Sequence, residues 1–216
     1  MGERQIHHPS FDLGSAIEKL KVLLGPDGLL TSEAEVGEFR DPFQHKSWRA
    51  FEPGAVLMPS SVEEVQAILR IANECRVPLW TSGQGRNNGY GGAAPRVSGS
   101  LVLSMRRMNR VLEVDEDNAA ALIEPGVRFF DLYDHLRASG STLWMSVPDL
   151  GWGSVIGNTL DHGVGYTPNG DHVGQQCGME VVLANGEILR TGMGAMRNAR
   201  ATLVHKRNCG PSADGL

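Results

Sequence analysis

The sequence predicts an α+β fold made of two units, a small βαβ unit followed by a larger antiparallel sheet with helices. Three observations carry this reading. Between Ala55 and Thr81 an apolar run, a capped helical pattern and a second apolar run follow one another with short connections. Residues 100–124 hold three short apolar runs separated by turn residues, the pattern of an antiparallel meander. Asn185-Gly186 stands between two further apolar runs and is the strongest hairpin signal in the chain. No break in composition marks a flexible linker, and 216 residues suffice for two small subdomains that share a core.

Taken in order, residues 15–24 (SAIEKLKVLL) place Ile17, Leu20, Val22, Leu23 and Leu24 mostly on one side of a short helix, with Ser15 as its cap. Gly25-Pro26-Asp27-Gly28 ends it. Residues 31–54 carry no clear period and read as an irregular segment draped on the surface. Ala55 to Met58 is a strand stopped by Pro59, and Ser61-Val62-Glu63-Glu64 is a capping-box pattern. Val65, Ile68, Leu69 and Ala72 then recur at helical spacing through Glu74, and Val77 to Thr81 is the next strand. A strand–helix–strand unit this tight is right-handed, and it delivers whatever follows Thr81 to the carboxyl end of a strand, where ligands of open α/β sheets sit.

Ser100 to Ser104, Val111 to Val114 and Ala119 to Glu124 are the strands of the meander, with Asp115 to Asn118 as a turn. Arg128 to Ser139 reads as a helix with Phe129, Leu132, Tyr133 and Leu136 inward, stopped by Gly140. Leu143-Trp144-Met145 reads as a further strand, and the hairpin joins Met179–Leu183 to Ile188–Thr191. The domain reading is an N-terminal helix and irregular segment over 1–52, a main domain over 53–196 divided at about residue 100, and a divergent end over 197–216.

A formal net charge of −5 and a pI near 5.8 argue against nucleic acid or an anionic membrane as partner, since both need a basic face. Cys75, Cys177 and Cys209 are odd in number and lack metal-binding spacing, which fits a reducing compartment, with the cytoplasm as the default. The N-terminal residues show no apolar signal region, and no apolar run reaches membrane-spanning length. Glycine is the compositional outlier, with 27 residues, about twice the usual share.

Those glycines cluster. Pro78 to Pro95 carries Gly83, Gly85, Gly89, Gly91 and Gly92 directly after the Val77–Trp80 run. A strand that empties into such a loop brings backbone N–H groups close to a ligand, and the usual tenant is a phosphate. The dinucleotide fingerprint fits badly, because Asn88 stands where the third glycine belongs, and no Gly-Lys-Ser/Thr makes a P-loop. Without a helix dipole behind it, the loop must rely on N–H groups and on Thr81, Ser82, Arg86 and Asn87. The alternative is a glycine-rich surface loop without chemistry. A second cluster from Val147 to His172 interleaves Gly151, Gly153 and Gly157 with Asp149, Ser154 and Asn158, so two backbone-rich surfaces are expected to clamp one long ligand.

The blocks GRNNGYGGAAPRVSGS, EPGVRFFDLYDHL, SVPDLGWGSVIGN, GVGYTPNGDH and GMEVVLANGEILRTGMGAM together resemble the FAD-binding (PCMH-type) domain of the vanillyl-alcohol oxidase / p-cresol methylhydroxylase flavoproteins, in their 4-alkylphenol-oxidising branch. The resemblance runs from about Asp41 to about Met196. It implies that Thr81, Ser82, Gly83, Gln84, Gly85, Arg86, Asn87 and Asn88 hold the FAD pyrophosphate through backbone N–H groups. Pro148, Asp149, Leu150, Gly153, Ser154, Gly157 and Asn158 match the second pyrophosphate and ring-facing block. Gly163, Gly165, Tyr166 and Asp171 match the stretch that closes over the flavin, and Val182 lies in the segment expected near the adenine.

By the same resemblance Asp149 is the residue expected to carry chemistry, beside the flavin's reactive N5, where a carboxyl supplies or steers a proton and assists covalent flavin attachment. The bland reading is that Asp149 caps the turn after Pro148. Tyr90 matches a tyrosine that helps bind the substrate phenolate, or else it is a loop aromatic packed on the core. His172 is either a flavin neighbour or a satisfied polar residue, and His45, His135 and His162 read as surface or helix residues.

Members of the family are far longer and continue into a substrate-capping domain, so the expectation here is a truncated chain with weaker, non-covalent FAD retention. FAD and a phenolic substrate are the expected partners, nucleic acid and membrane are not, a homodimer is admitted, and no metal is expected. Two other functions stay open. One is a non-catalytic flavin- or nucleotide-binding module. The other is an FAD oxidoreductase of the same superfamily acting on hydroxy acids or lactones.

Overall fold

A computed structural model describes residues 11–41, 51–86 and 93–192. Its centre is a four-stranded sheet of β1 (Leu29–Leu30), β2 (Ala55–Leu57), β3 (Leu79–Ser82) and β4 (Leu101–Ser104), in the order β1-β2-β4-β3. Strand β4 runs parallel to both β2 and β3, with Leu101 opposite Ala55 on one side and Leu79 on the other, while β1 is antiparallel to β2. The 100–104 run is therefore the central strand of the first unit and not the start of the antiparallel meander. Its burial gives the reason. All four residues of β4 are buried, as a parallel strand covered on both faces requires, whereas a meander strand would alternate.

Helices α1 (Leu13–Gly28) and α3 (Val62–Cys75) cover one face of this sheet. Ala16, Leu20 and Leu24 of α1 and Val65, Ile68 and Cys75 of α3 pack with Ala55, Leu57, Leu101 and Leu103. The cap of α1 is Asp12, whose Oδ1 accepts from the Ser15 N–H at 3.0 Å, and not Ser15 itself. Val22 points away from the core, 88% exposed, because the buried stripe runs through every fourth residue from Ala16. Gly25, at φ +64°, breaks the regular helix where the Gly-Pro signal places the break, and one further turn continues to Gly28. In α3 the Ser61 hydroxyl caps the Glu64 N–H, but the Glu64 carboxylate reaches back to the N–H of Ser60, one residue beyond the capping-box position.

The other face is covered by the described part of the segment that reads as irregular. Ser32 and Glu35 form a capping box at α2 (Glu33–Gly37), and the segment drives Val36 and Phe39 onto Val56 and Val102. Phe39 is 1% exposed. A single helical turn that buries two side chains leaves no period for a window to detect.

In the second unit β5 (Val111–Asp115) and β6 (Ala120–Ile123) form one antiparallel hairpin, closed by the Asp115 carboxylate on the Asn118 N–H. Helix α4 (Phe129–Ala138) buries Phe129, Leu132 and Leu136 and leaves Tyr133 at the rim, with the Arg137 guanidinium over its ring. The short α5 (Val155–Leu160) follows, and β7 (Glu180–Val182) and β8 (Ile188–Arg190) make the second hairpin. Its turn is a three-residue loop, with Gly186 N–H donating to Leu183 O and Leu183 N–H to Glu187 O. Gln66 and Asn73 of α3 donate to the carbonyls of Gly186 and Ala184, fastening this hairpin to the first unit. Among the described residues the two hairpins are separate sheets, and Leu143-Trp144-Met145 forms no strand.

Phe39→Ala is expected to lower the free energy of unfolding by about 3–5 kcal/mol, read from urea denaturation. Val22→Ala is expected to stay within about 0.5 kcal/mol of the parent.

Candidate functional site

The turn Glu124-Pro125-Gly126 enters the space between the two glycine-rich segments and ties both. Gly126 donates to Met108 O at 2.7 Å and lies so close to the first unit that a Cβ on it would stand 2.0 Å from the Met105 carbonyl oxygen. From the first glycine loop, Gln84 Nε2 donates to Gly126 O at 2.6 Å. From the second, Ser154 Oγ donates to Pro125 O at 2.6 Å and accepts from the Gly157 N–H, capping α5. The turn itself is anchored by Glu124, which is buried and receives Arg110 through its backbone N–H, Nε and Nη2. Burial alone would raise the Glu124 carboxyl; the Arg110 hydrogen bonds outweigh it and hold it below the usual carboxylate value.

The two loops then touch. A Cβ on Gly83 would stand 2.7 Å from Ser154 Cβ, so the first loop passes the second at a distance only glycine allows. Gly85 takes φ +63° beneath Ala93. Thr81 and Arg86 are exposed, and Gly153 follows beside the Arg86 carbonyl. Asn87, Asn88 and Tyr90 lie outside the described residues.

The floor of the first loop is polar. Ser82 and Ser104 end β3 and β4 side by side, and their hydroxyls are buried without a hydrogen-bond partner among the described residues. Arg106 lies over the Phe39 ring at 4.5 Å and donates from Nε to Gln84 O at 3.1 Å. Burial, and then the neighbouring Arg86 charge, push its guanidinium below the ordinary arginine value, against a weaker opposing pull from Glu38. A loop with close backbone approach, unspent hydroxyls and two arginines fits the pyrophosphate of a dinucleotide. It does not fit a metal, and no cluster of metal-ligating side chains occurs among the described residues.

The second loop lies along the start of α4, with the N–H groups of Phe129 and Phe130 donating to the carbonyls of Gly153 and Gly151. Trp152 packs edge-on against Phe130 at 5.1 Å, with the Arg128 guanidinium 5.4 Å from its ring. Pro148 is half-buried and Leu150 half-exposed. The third stretch crosses back over the second. Tyr166 donates its hydroxyl to Asp149 Oδ1 at 2.9 Å, which joins two residues that the sequence reading placed in different blocks. Gly163 donates to Asn158 O, and Gly165 donates to Gly170 O while lying against Ser146. Asp171 is exposed and bridges Val164. Val182 packs against the core of the first unit.

His172 is the knot of this region. It is 6% exposed, its Nδ1 meets Asn158 Oδ1, and its Nε2 meets Ser146 Oγ at 3.0 Å. Both of its ring nitrogens thus have hydrogen-bond partners, while His135 and His162 are exposed. Arg106 and Ser104 were not singled out by the sequence, and Pro125-Gly126 entered only within the block EPGVRFFDLYDHL, without a role at the site. A Pro-Gly dipeptide ahead of a helix was the available signal for the turn. Val147, Leu150, Trp152, Val164 and Tyr166 are exposed large side chains on the second and third stretches.

Burial holds the His172 imidazole below its ordinary value of 6.5, against the opposing charge of Asp171. The unfolded chain therefore binds more protons than the folded one, so stability is complete above about pH 6.5 and falls as pH drops towards the folded value. Chemical denaturation at pH 7.5 and 5.5 is expected to show this loss, at most about 1.4 kcal/mol per pH unit. His172→Gln should remove that part of the slope. The lowered carboxylates Glu124 and Asp131 act only from below about pH 4.5.

Comparison with known proteins agrees with this geometry. Residues 53–192 match the family described as FAD binding domain. The chain is 39% identical over 207 residues to the 4-cresol dehydrogenase [hydroxylating] flavoprotein subunit of Pseudomonas putida, covering 95% of this chain and 40% of that protein. It superposes on 4-ethylphenol oxidase from Gulosibacter chungangensis with a TM-score of 0.88 at 46% identity, over 93% of this chain and 38% of that one. For p-cresol methylhydroxylase with substrate bound the TM-score is 0.86 at 38% identity, over 93% and 39%. The chain thus spans about two fifths of the length of these relatives. Two glycine loops locked onto one Pro-Gly turn, and a matching domain, place this chain in the FAD-binding domain family, in its p-cresol methylhydroxylase / vanillyl-alcohol oxidase group, with FAD as its cofactor.

Proposed function

We propose that this chain is the flavin-carrying part of an oxidoreductase that withdraws a hydride from the benzylic carbon of a 4-alkylphenol held as its phenolate. The observation that carries the reading is the direct packing of Gly83 on Ser154, which makes one continuous backbone surface from the two loops. The phenolic substrates named for the 4-cresol and 4-ethylphenol relatives support the substrate class.

In this reading residues Thr81 to Asn88 hold the pyrophosphate, and Pro148 to Asn158 face the ring system. Gly163 to Asp171 close over it, and Val182 lies towards the adenine. FAD, when bound, supplies the hydride acceptor. Asp149 supplies or steers a proton beside the flavin, and Tyr166 orients it through the 2.9 Å hydrogen bond at Oδ1. Tyr90 assists with the phenolate. The flavin domain is read as 53–196, and the buried, unbridged Cys75 supports a reducing, cytoplasmic setting. No helix among the described residues is long and apolar enough to cross a membrane.

Purified protein is expected to show the near-ultraviolet and blue absorbance bands of a flavin, and acid precipitation is expected to release that flavin into the supernatant. Anaerobic addition of eugenol or vanillyl alcohol should bleach the blue band. A bound flavin that stays oxidised favours the second reading, a flavin-binding module without turnover. Bleaching by a 2-hydroxy acid instead would move the substrate class to the third.

A further inference from the structure

We infer that Arg106, Ser82 and Ser104 form a buried side-chain seat beneath Gly85 for one phosphate group of the dinucleotide, in addition to the backbone N–H groups of the loop. The inference rests on the flavin reading and names residues of this chain that bear the anion's charge.

Arg106 is the first part. Its Nε is committed to Gln84 O and its face to Phe39, while Nη2 lies 3.6 Å from the point where a Cβ on Gly85 would stand. Among the described residues no carboxylate forms an ion pair with it, and of the charges that act on it Arg86, also a cation, outweighs Glu38. A half-buried cation beside another cation is unfavourable until an anion arrives.

The hydroxyls are the second part. Ser104 is fully buried and Ser82 Oγ is sealed from water, yet among the described residues neither has a hydrogen-bond partner. They are register neighbours at the carboxyl ends of parallel strands, and Ser82 Oγ is 3.9 Å from the same Cβ point at Gly85, which Ala93 Cβ approaches to 2.8 Å. Buried hydroxyls are almost always paired, so two adjacent unpaired ones mark a place kept for an acceptor. An uncharged ligand would satisfy the hydroxyls but not the guanidinium. Of the parts of FAD, only the pyrophosphate offers both several acceptor oxygens and negative charge.

The test compares Ser104→Ala, Arg106→Met and Arg106→Lys with the parent chain. It reads the dissociation constants for FAD and for riboflavin, which lacks phosphate, together with the unfolding midpoint without ligand. Ser104→Ala is expected to keep or raise the unfolding midpoint, because it removes an unpaired buried hydroxyl, and yet to weaken FAD binding roughly tenfold. Arg106→Met should weaken FAD by more than about tenfold and leave riboflavin unchanged, with Arg106→Lys between the two. Inorganic pyrophosphate should compete with FAD on the parent and lose that ability on Arg106→Met. Parent protein that binds FAD, with Ser104→Ala and Arg106→Lys binding it equally tightly, overturns the seat and leaves the flavin reading standing. A parent that binds no FAD overturns both. Should Arg106→Met fail to fold, the other two variants decide.

Discussion

The hydrogen bonds of Gln84 and Ser154 to the two carbonyls of Pro125-Gly126 are the constraint on which the site depends. Each loop on its own is short of regular structure and would sample many conformations. Held to the two ends of one turn, they have a single relative placement. The turn is in turn fixed by sterics and charge: Gly126 has no room for a side chain beneath the Met105 carbonyl, and Glu124 is gripped three ways by Arg110. A surface ion pair contributes little, but here the carboxylate is buried and its partner's backbone also donates, which sets it apart from exposed pairs such as Lys19–Glu74.

How much of the fold was legible follows from the range of the forces involved. Strands at Ala55, Val77, Val111 and Ala119 and helices at Val62 and Phe129 are local matters of periodicity and capping, and they lie close to where the sequence places them. The partner of a strand is not local. Ser100 to Ser104 reads correctly as a strand, but its insertion between β2 and β3 is decided by which apolar face lacks a neighbour. Leu143-Trp144-Met145 has strand composition without a strand, with Trp144 almost fully exposed. Tyr133 sits at the edge of the buried stripe of α4, where a polar tip and the Arg137 guanidinium favour the surface.

The site was legible as segments and less so as contacts. Glycine spacing and the block order located both loops, and the residues at their junction, Gly83, Gln84 and Ser154, were among those singled out. What joins them was not, because a Pro-Gly turn, a buried glutamate and an arginine from the β4–β5 connection have no motif of their own. The Tyr166–Asp149 bond is likewise a product of one stretch crossing another. Asn158 has its side-chain oxygen at His172, which relates its amide to the architecture of the third stretch as much as to any ligand.

The strand order carries a last consequence. Since β3 and β4 are parallel neighbours, the chain leaving Ser82 must travel back along the sheet before it can enter Leu101. Four strand residues span roughly 13 Å, so the glycine loop is also the return path that threads the central strand into place. Its length is set by topology as well as by recognition, and a deletion within it would unstitch the sheet before it altered any ligand contact.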